Sequence, residues 1–215
     1  MDEPILPAYL EPIRLMKSIN ILHELSMEKI EDYARGELRR KWEPRDSANP
    51  RSQIVTALIL SEETAKLKAF ECHARLLSLF SVFEASLMEL SREVLRTRNF
   101  PLSDKDFSGS GLERAKLILS KVGGLAFLFS KNEWRTILNI QVVRNLIAHT
   151  GGLVSSDSSQ AEKLNGIEGV SFVAWGTGDS AKLIYIAPAF MEASNKALFD
   201  FLLLVAVHVE GKITC

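Results

Sequence analysis

Apolar side chains recur at intervals of three and four residues over most of the chain, which is the period of an amphipathic helix. The pattern predicts helix from Ile13 to Lys41, with Ser26 as the N-cap of a second helix inside that stretch. The polar segment Glu43–Arg51 contains two prolines and predicts a linker. We therefore expect an N-terminal helical extension that a linker joins to the rest of the chain.

The next stretch, Ser52–Arg98, is rich in helix-forming residues and carries one continuous apolar face. This face consists of Leu76, Phe80, Phe83, Leu87, Leu90 and Val94. A single helix over the whole stretch would be about 70 Å long. We expect a break near Ser61, because this serine precedes two glutamates and has the pattern of an N-cap.

Two further helices follow a predicted loop at Asn99–Gly111. The first, Leu112–Val122, ends at a pair of glycines. The second begins where Ser130 and Glu133 have the spacing of a capping box. It ends about 20 residues later at Gly151–Gly152, since a glycine pair is typical of a helix C-terminus.

A β pattern replaces the helical period towards the end of the chain. Leu153–Gly166 is polar and serine-rich and predicts a loop, whereas Gly169–Trp175 and Lys182–Ile186 are β-branched and aromatic. The turn residues between these two runs predict a two-stranded hairpin, and a last helix follows at Pro188–Glu210. The predicted fold class is mainly α, an up-and-down helical bundle with a small two-stranded β-hairpin before the last helix.

Composition is that of an ordinary globular protein, with 47% hydrophobic and 25% charged residues in 215. We expect a helical domain at residues 51–215, preceded by the extension and linker at residues 1–50. The two cysteines, Cys72 and Cys215, exclude a disulfide framework and fit a reducing compartment. The start of the chain lacks a signal-peptide pattern, and the apolar run Ala197–Val209 is too short to span a bilayer. We expect a cytoplasmic protein without membrane contact, with this run in a core helix.

The formal net charge is −1, which excludes a general polyanion binder. The charge is unevenly distributed, however. Between Ser91 and Thr150 there are ten basic and five acidic side chains. This local excess favours an anionic ligand near that region, although an ordinary solvated surface of mixed charge remains the alternative.

The residues with candidate chemistry lie near the end of the predicted helix that terminates at Gly151–Gly152, in the segment Arg144–His149 (RNLIAH). Residues five apart on a helix point about 140° apart, whereas residues four apart share a face. We therefore predict that Asn145 hydrogen-bonds and orients the His149 imidazole, while the long Arg144 side chain reaches round. Histidine transfers protons near neutral pH, and arginine presents a planar fork to phosphate. Two such helices related by a two-fold axis would place two Arg and two His in one cleft.

These features resemble the HEPN superfamily, which is known by an Arg, four to six variable residues and a His near the end of a helix. Arg144–His149 matches this signature, and Asn145 stands where Asn, Asp or His often follows the Arg. The helix with Phe83–Leu87 and the glycine-bearing loop Phe107–Glu113 precede it in the order typical of stand-alone bacterial HEPN proteins. The resemblance covers Leu60–Val209 and implies a helical bundle of the HEPN type.

The resemblance also implies a function. HEPN ribonucleases are typically homodimers with a shared cleft, and they cleave RNA without a metal or other cofactor to leave a 2′,3′-cyclic phosphate and a 5′-hydroxyl. It implies catalytic roles for Arg144, His149 and Asn145, with RNA, a second copy and a cognate antitoxin or other protein as partners. Some toxins paired with nucleotidyltransferase antitoxins carry a Tyr where this chain has Gly151, which argues against that particular pairing.

Three functions stay open at this point. The first is an endoribonuclease in defence or stress, such as a growth-restricting toxin, the second a non-catalytic HEPN module that binds RNA or a protein, and the third a helical subunit of an active neighbour. Structural alternatives also stay open for the site: Arg144 in a salt bridge, His149 as a C-capping residue and Asn145 merely exposed. Glu84 either supports Arg144 or His149 or lies at a solvated edge.

Other residues carry no functional prediction. We expect Trp134 and Phe83 in the core rather than as base-stacking platforms, and Cys72 as a small core residue. His23, His73 and His208 have no convergent partners in the sequence and are predicted to be ordinary histidines. No cluster of metal-binding residue types is visible, so no metal site is predicted.

Overall fold

A computed structural model describes residues 6–38, 40, 49–155, 159–175 and 181–213. The helices are α1 (Leu6–Tyr33), α2 (Pro50–Thr97), α3 (Gly111–Lys121), α4 (Asn132–Thr150), α5 (Ser159–Glu162) and α6 (Pro188–Ile213). The strands are β1 (Leu153–Ser155), β2 (Val170–Ala174) and β3 (Ala181–Ile186). The protein is mainly helical with a small antiparallel sheet before the last helix, which confirms the predicted fold class.

The helix α2 is continuous, and the predicted break at Ser61 is wrong. Its 48 residues correspond to about 70 Å, and no proline or glycine interrupts it after Pro50. Lys66 pairs with Glu62 and Glu63, four and three residues before it, so ion pairs on the helix surface bind together the turns that follow Ser61. These glutamates therefore stabilise a helix interior rather than mark a helix start.

The beginning of α2 also corrects the predicted linker. Asn49 is the N-cap, and its side chain accepts a hydrogen bond from the Arg51 N–H at 3.0 Å. Pro50 occupies the first turn, where a missing N–H has no cost. The last residues of the predicted linker Glu43–Arg51 thus belong to the helix, while residues 43–48 lie outside the described part of the chain.

The helix α1 runs antiparallel to α2 and passes through Ser26 without a break, so the predicted second N-cap is wrong. Asn20 accepts two hydrogen bonds from Arg75 on α2 and donates one to Asn195 on α6. Met16 is buried in the same core as the other helices. These contacts, together with the ion pair between Glu31 and Lys68 beyond Ser26, hold α1 against the other helices on both sides of the serine and favour a continuous helix over a capped break.

The core lies between α2, α4 and α6. All six residues of the predicted apolar face of α2, Phe83 among them, are buried, and so is Trp134, as predicted. The Trp134 ring packs against Phe201 of α6 at 5.2 Å between centroids. The run Ala197–Val209 lies within α6 and contributes several core residues, which confirms the predicted core helix. Among the described residues, no helix has the length and apolar character needed to cross a membrane.

The sheet has three strands in the order β1-β3-β2, all antiparallel. The predicted hairpin is confirmed by β2 and β3, in which Phe172 pairs with Ile184. The stretch predicted as a polar loop, Leu153–Gly166, instead supplies β1 and the short helix α5. Leu153 pairs with Leu183 of β3. Because β2 covers only one edge of β3, the backbone groups at its second edge need hydrogen-bond partners, and β1 provides them.

Candidate functional site

The C-terminus of α4 carries the motif segment. Gly151 follows the helix in a left-handed conformation (φ +67°), and its N–H donates to the Ile147 carbonyl at 2.9 Å. This confirms the predicted end of the helix, because glycine adopts that backbone without the steric cost of a Cβ.

The N-terminus of α4 differs from the prediction. Lys131 is the N-cap residue, and the Ser130 hydroxyl donates to the Phe127 carbonyl at 2.8 Å. The predicted capping box of Ser130 and Glu133 is therefore wrong. The preceding 3₁₀ turn, Ala126–Ser130, places the serine before the helix and engages its side chain.

Three groups surround the Arg144 guanidinium. Its Nη1 donates to Asn145 Oδ1 at 3.0 Å, its Nη2 lies 3.9 Å from Glu84 Oε2, and its Cζ lies 5.5 Å from the Phe80 ring centroid. The Arg144 Nε is buried and has no hydrogen-bond partner within the described chain. The distance to Glu84 exceeds an ordinary hydrogen bond, so Nη2 retains donor capacity. The side chain is 27% exposed and can present those donors to an anion.

The structure pairs Asn145 with Arg144 rather than with His149. The predicted hydrogen bond between Asn145 and His149 is not present in the described residues, and the Asn145 oxygen accepts from Arg144 instead. The His149 side chain is exposed and, within the described part of the chain, makes no hydrogen bond or ion pair. The arrangement thus brings Arg144, Asn145 and Glu84 together and leaves the imidazole accessible to solvent.

Glu84 reaches Arg144 from α2, beside the start of α3. A Cβ at Gly111 would lie 2.6 Å from Glu84 Oε1, so the absence of a side chain at Gly111 makes room for this carboxylate. Ser110 and Glu113 form a capping box that fixes the adjoining turn, with both hydrogen bonds to the Glu113 carboxylate at 3.0 Å. The glycine-bearing loop singled out in the sequence therefore shapes the position of Glu84.

An exposed stripe on α4 leads to His149. Leu138, Val142, Asn145 and His149 follow one another at spacings of four, three and four residues, which places them on one helical face. Leu138 is 40% exposed and Val142 is 37% exposed. We call these four residues the α4 stripe.

His73 is the residue of this region that sequence reasoning missed. It is 3% exposed, and its Nε2–H donates to the Ile184 carbonyl at 2.8 Å. The Ile184 N–H in turn donates to the Gly152 carbonyl at 2.8 Å. A Cβ at Gly152 would lie 2.3 Å from the His73 ring. His73 therefore connects α2 and β3 to the turn just after His149, and no local pattern around His73 reveals this long-range contact.

Two other histidines and Cys72, for which no function was predicted, lie outside this site. His23 pairs with Glu71 at 3.3 Å, and His208 packs against Phe127 and borders a pocket of about 230 Å³ at the end of α2. Burial raises the pKa of the half-buried Cys72 thiol, which makes it less reactive. No group of three or more metal-ligating side chains occurs in the described residues.

Comparison of the chain with protein-family models, with curated proteins and with solved structures finds no significant match in any of the three.

Burial of His73 makes the stability of the fold depend on pH. Desolvation lowers the pKa of His73 below the usual value near 6.5, while its hydrogen bond to Ile184 opposes that shift. The unfolded chain therefore binds a proton more readily, so this stability is present above about pH 6.5 and is lost as the pH falls through the folded-state pKa. We expect the free energy of unfolding, measured by urea titration, to decrease on acidification by at most about 1.4 kcal/mol per pH unit from this group.

The matched variant for this experiment is His73→Gln, which keeps a donor for Ile184 but cannot titrate. It should have a shallower dependence of stability on pH between pH 7.5 and 5 than the original protein. His23 also has a lowered pKa, chiefly through burial, and contributes equally to both curves. Identical slopes in the two proteins would exclude His73 as the titrating group.

Proposed function

We propose that the protein is a HEPN-type endoribonuclease of the cytoplasm, which cleaves single-stranded RNA at a site shared by two copies of the chain. The observation that carries the proposal is the Arg144 guanidinium, oriented by Asn145, Glu84 and Phe80, at a helix end where His149 is open to solvent. A cation with fixed geometry and an accessible imidazole are the two groups that cleavage of a phosphodiester by its own 2′-hydroxyl needs.

In the proposed reaction a His149 imidazole removes the proton from the 2′-hydroxyl, and the 2′-oxygen attacks the adjacent phosphorus. The bond from phosphorus to the 5′-oxygen breaks, and a second imidazole in its protonated form gives that oxygen a proton. Arg144 donates hydrogen bonds to the phosphoryl oxygens, on which negative charge accumulates. The products are a 2′,3′-cyclic phosphate and a 5′-hydroxyl, and protein side chains provide each proton transfer.

Two imidazoles are required in this scheme, whereas each chain has a single one at the motif. A homodimer that packs along the α4 stripe provides the second. A parallel pairing of the two α4 helices, with Leu138 against Leu138 and Val142 against Val142, would remove their exposed apolar surface from water and bring the two His149 residues together near the two-fold axis. The neighbouring Asn145 and Arg144 would then face a common cleft.

The biological role proposed for this activity is defence or stress response, with a cognate protein that restrains it. A non-catalytic module that binds RNA or a protein partner is the second candidate. The observation that favours protein binding is the exposure of large apolar side chains on α1 (Leu22, Leu25) and at the start of α2 (Ile54, Leu58), each more than half exposed.

The test of the proposed function is cleavage of labelled single-stranded RNA by the full-length protein in the presence of EDTA. We expect fragments that end in a 2′,3′-cyclic phosphate and begin with a 5′-hydroxyl, detected by their resistance to phosphatase alone and their ready 5′-phosphorylation. His149→Ala protein, purified in parallel, controls for contaminating nucleases and should leave the RNA intact. Equal cleavage by both preparations, or none by either over a varied set of RNAs, would refute the proposal and leave the non-catalytic module.

A further inference from the structure

Two aromatic rings meet at the surface between α2 and the end of β2. Phe70 is 39% exposed, and its ring lies 5.8 Å from the half-buried Trp175 ring at an interplanar angle of 80°. In an edge-to-face pair, one ring turns its edge towards the second ring. The second ring therefore leaves both faces of the first ring uncovered. We call Phe70 and Trp175, with the Lys66 side chain beside them, the aromatic cluster.

The aromatic cluster adjoins the candidate site through direct contacts. The Phe70 ring lies 6.0 Å from the ring of His73, and His73 packs against Gly152, three residues after His149. On α2, Phe70 is ten residues before Phe80, the ring that contacts Arg144, which is about 15 Å along the helix. His73 and Phe80 are buried, so these contacts join Phe70 to the candidate site inside the protein. The exposed Phe70 ring is therefore close to the turn that follows His149, and a strand that leaves the cleft past this turn can reach it.

The charges at the aromatic cluster exclude a phosphate subsite. Lys66 lies 5.0 Å from the Trp175 ring centroid, which is a cation–π distance. Its ammonium group is already paired with Glu62 at 2.7 Å and with Glu63 at 3.1 Å. Two carboxylates outweigh one ammonium, so the cluster repels a polyanionic backbone while its rings remain able to stack on an uncharged base.

We propose that the aromatic cluster is a binding subsite for an unpaired nucleobase of the RNA strand that runs through the cleft, with Phe70 as the stacking ring. Lys66 holds Trp175 in place rather than binding phosphate. The inference rests on the proposed function, because RNA is the ligand in both. It explains a preference for single strands, since bases in a duplex are stacked on each other and offer no free face.

The experiment measures the affinity of full-length His149→Ala protein, which does not consume its ligand, for a fluorescein-labelled 12-nucleotide oligouridylate by anisotropy. Adding Phe70→Leu, which removes the ring but keeps an apolar side chain, should weaken binding about 5- to 150-fold, the range for loss of one stacked base. Adding Phe70→Tyr in its place should preserve the affinity, since the ring is kept. The control is Leu203→Ala on α6, an apolar residue of similar exposure that should not alter affinity. Circular dichroism verifies that each variant is folded.

Salt dependence separates stacking from charge. Because Phe70 contacts a base, Phe70→Leu should leave the slope of log affinity against log salt unchanged, whereas Arg144→Ala should make it shallower. If the protein with Phe70→Leu binds oligouridylate as tightly as the protein without it, the subsite is overturned and the proposed ribonuclease is left intact. Equal weakening of a duplex RNA by Phe70→Leu would overturn the stacking mechanism. No binding of any RNA by the His149→Ala protein would overturn the subsite and the proposed function together.

Discussion

Replacement of His149 by alanine is expected to lower kcat for RNA cleavage by a factor of about 10² to 10⁴, the usual range for loss of a general acid or base. Replacement of Arg144 by alanine should lower it by about 10² to 10³, as for loss of one donor to a developing oxyanion. Arg144→Lys should recover little, because a lysine retains the charge but cannot match the fork that Asn145, Glu84 and Phe80 orient. Single-turnover cleavage of one labelled RNA measures all three.

Arg98→Ala is the matched control for this series. Arg98 is an exposed arginine just after the end of α2, about 21 Å along that helix from Glu84, so its loss changes the net charge equally without touching the proposed cleft. It should retain kcat within about threefold, which is below the smallest loss expected for Arg144→Ala. Wild-type rates in His149→Ala would remove this residue from the mechanism, and equal losses in Arg98→Ala and Arg144→Ala would reduce Arg144 to a general electrostatic role.

If the site is shared between two copies of the chain, cleavage also requires the dimer. Val142→Glu places a carboxylate in the middle of the α4 stripe and should convert a dimer to monomers in sedimentation, with loss of cleavage. Adding an excess of His149→Ala protein to the wild type should lower the activity per wild-type chain, since a mixed dimer keeps only one of the two imidazoles that the reaction needs. A wild-type protein that is monomeric at concentrations where it cleaves RNA would rule out the shared site.

Gly152→Ala is expected to destabilise the fold by about 2–5 kcal/mol, the largest effect that we expect from a single methyl group in this protein. The backbone of Gly152 has φ +83°, which costs about 1–2 kcal/mol for a residue with a Cβ. The new methyl would also lie 2.3 Å from Cε1 of His73. His73 is buried and hydrogen-bonded to Ile184, so it cannot move aside cheaply.

The neighbouring glycine provides the control. Gly151 has a similar backbone (φ +67°), but a Cβ there meets nothing within 4 Å, so Gly151→Ala should cost only about 1–2 kcal/mol. Urea unfolding of both variants measures the difference, which isolates the clash with His73. In a His73→Ala background the extra cost of Gly152→Ala should disappear. Equal destabilisation by the two glycine substitutions would show that the turn relaxes away from the ring.

Much of the fold was predictable because it depends on local rules. The apolar face from Leu76 to Val94 is a repeat of three and four residues, and every member is buried in the structure. The end of α4 was equally clear, since Gly151 adopts a backbone that other residues avoid. The serines, however, did not predict where helices begin. Ser26, Ser61 and Ser130 each match an N-cap pattern, yet two lie inside helices and the third bonds to a preceding turn.

For the candidate site, too, the sequence indicated some features and the structure decided others. The resemblance of the segment Arg144–His149 to the HEPN signature indicated Arg144, Asn145 and His149, and for Glu84 the sequence left a supporting role and a solvated edge as alternatives. It did not indicate which of the three would contact one another, because an arginine side chain is long enough to reach several partners. The structure decided for a contact between Asn145 and Arg144 and brought Glu84 to the same guanidinium from another helix.

By itself, the sequence determined the helical class, the apolar faces, the hairpin and the place where the motif helix ends, since each depends on residues that are near one another in the chain. Only the tertiary structure decided that His73 and Gly152 touch, that β1 joins the sheet, and that Phe70 and Trp175 meet. These contacts join residues far apart in sequence. No periodic pattern records them, because such pairs form only after helices and strands have packed around a common core.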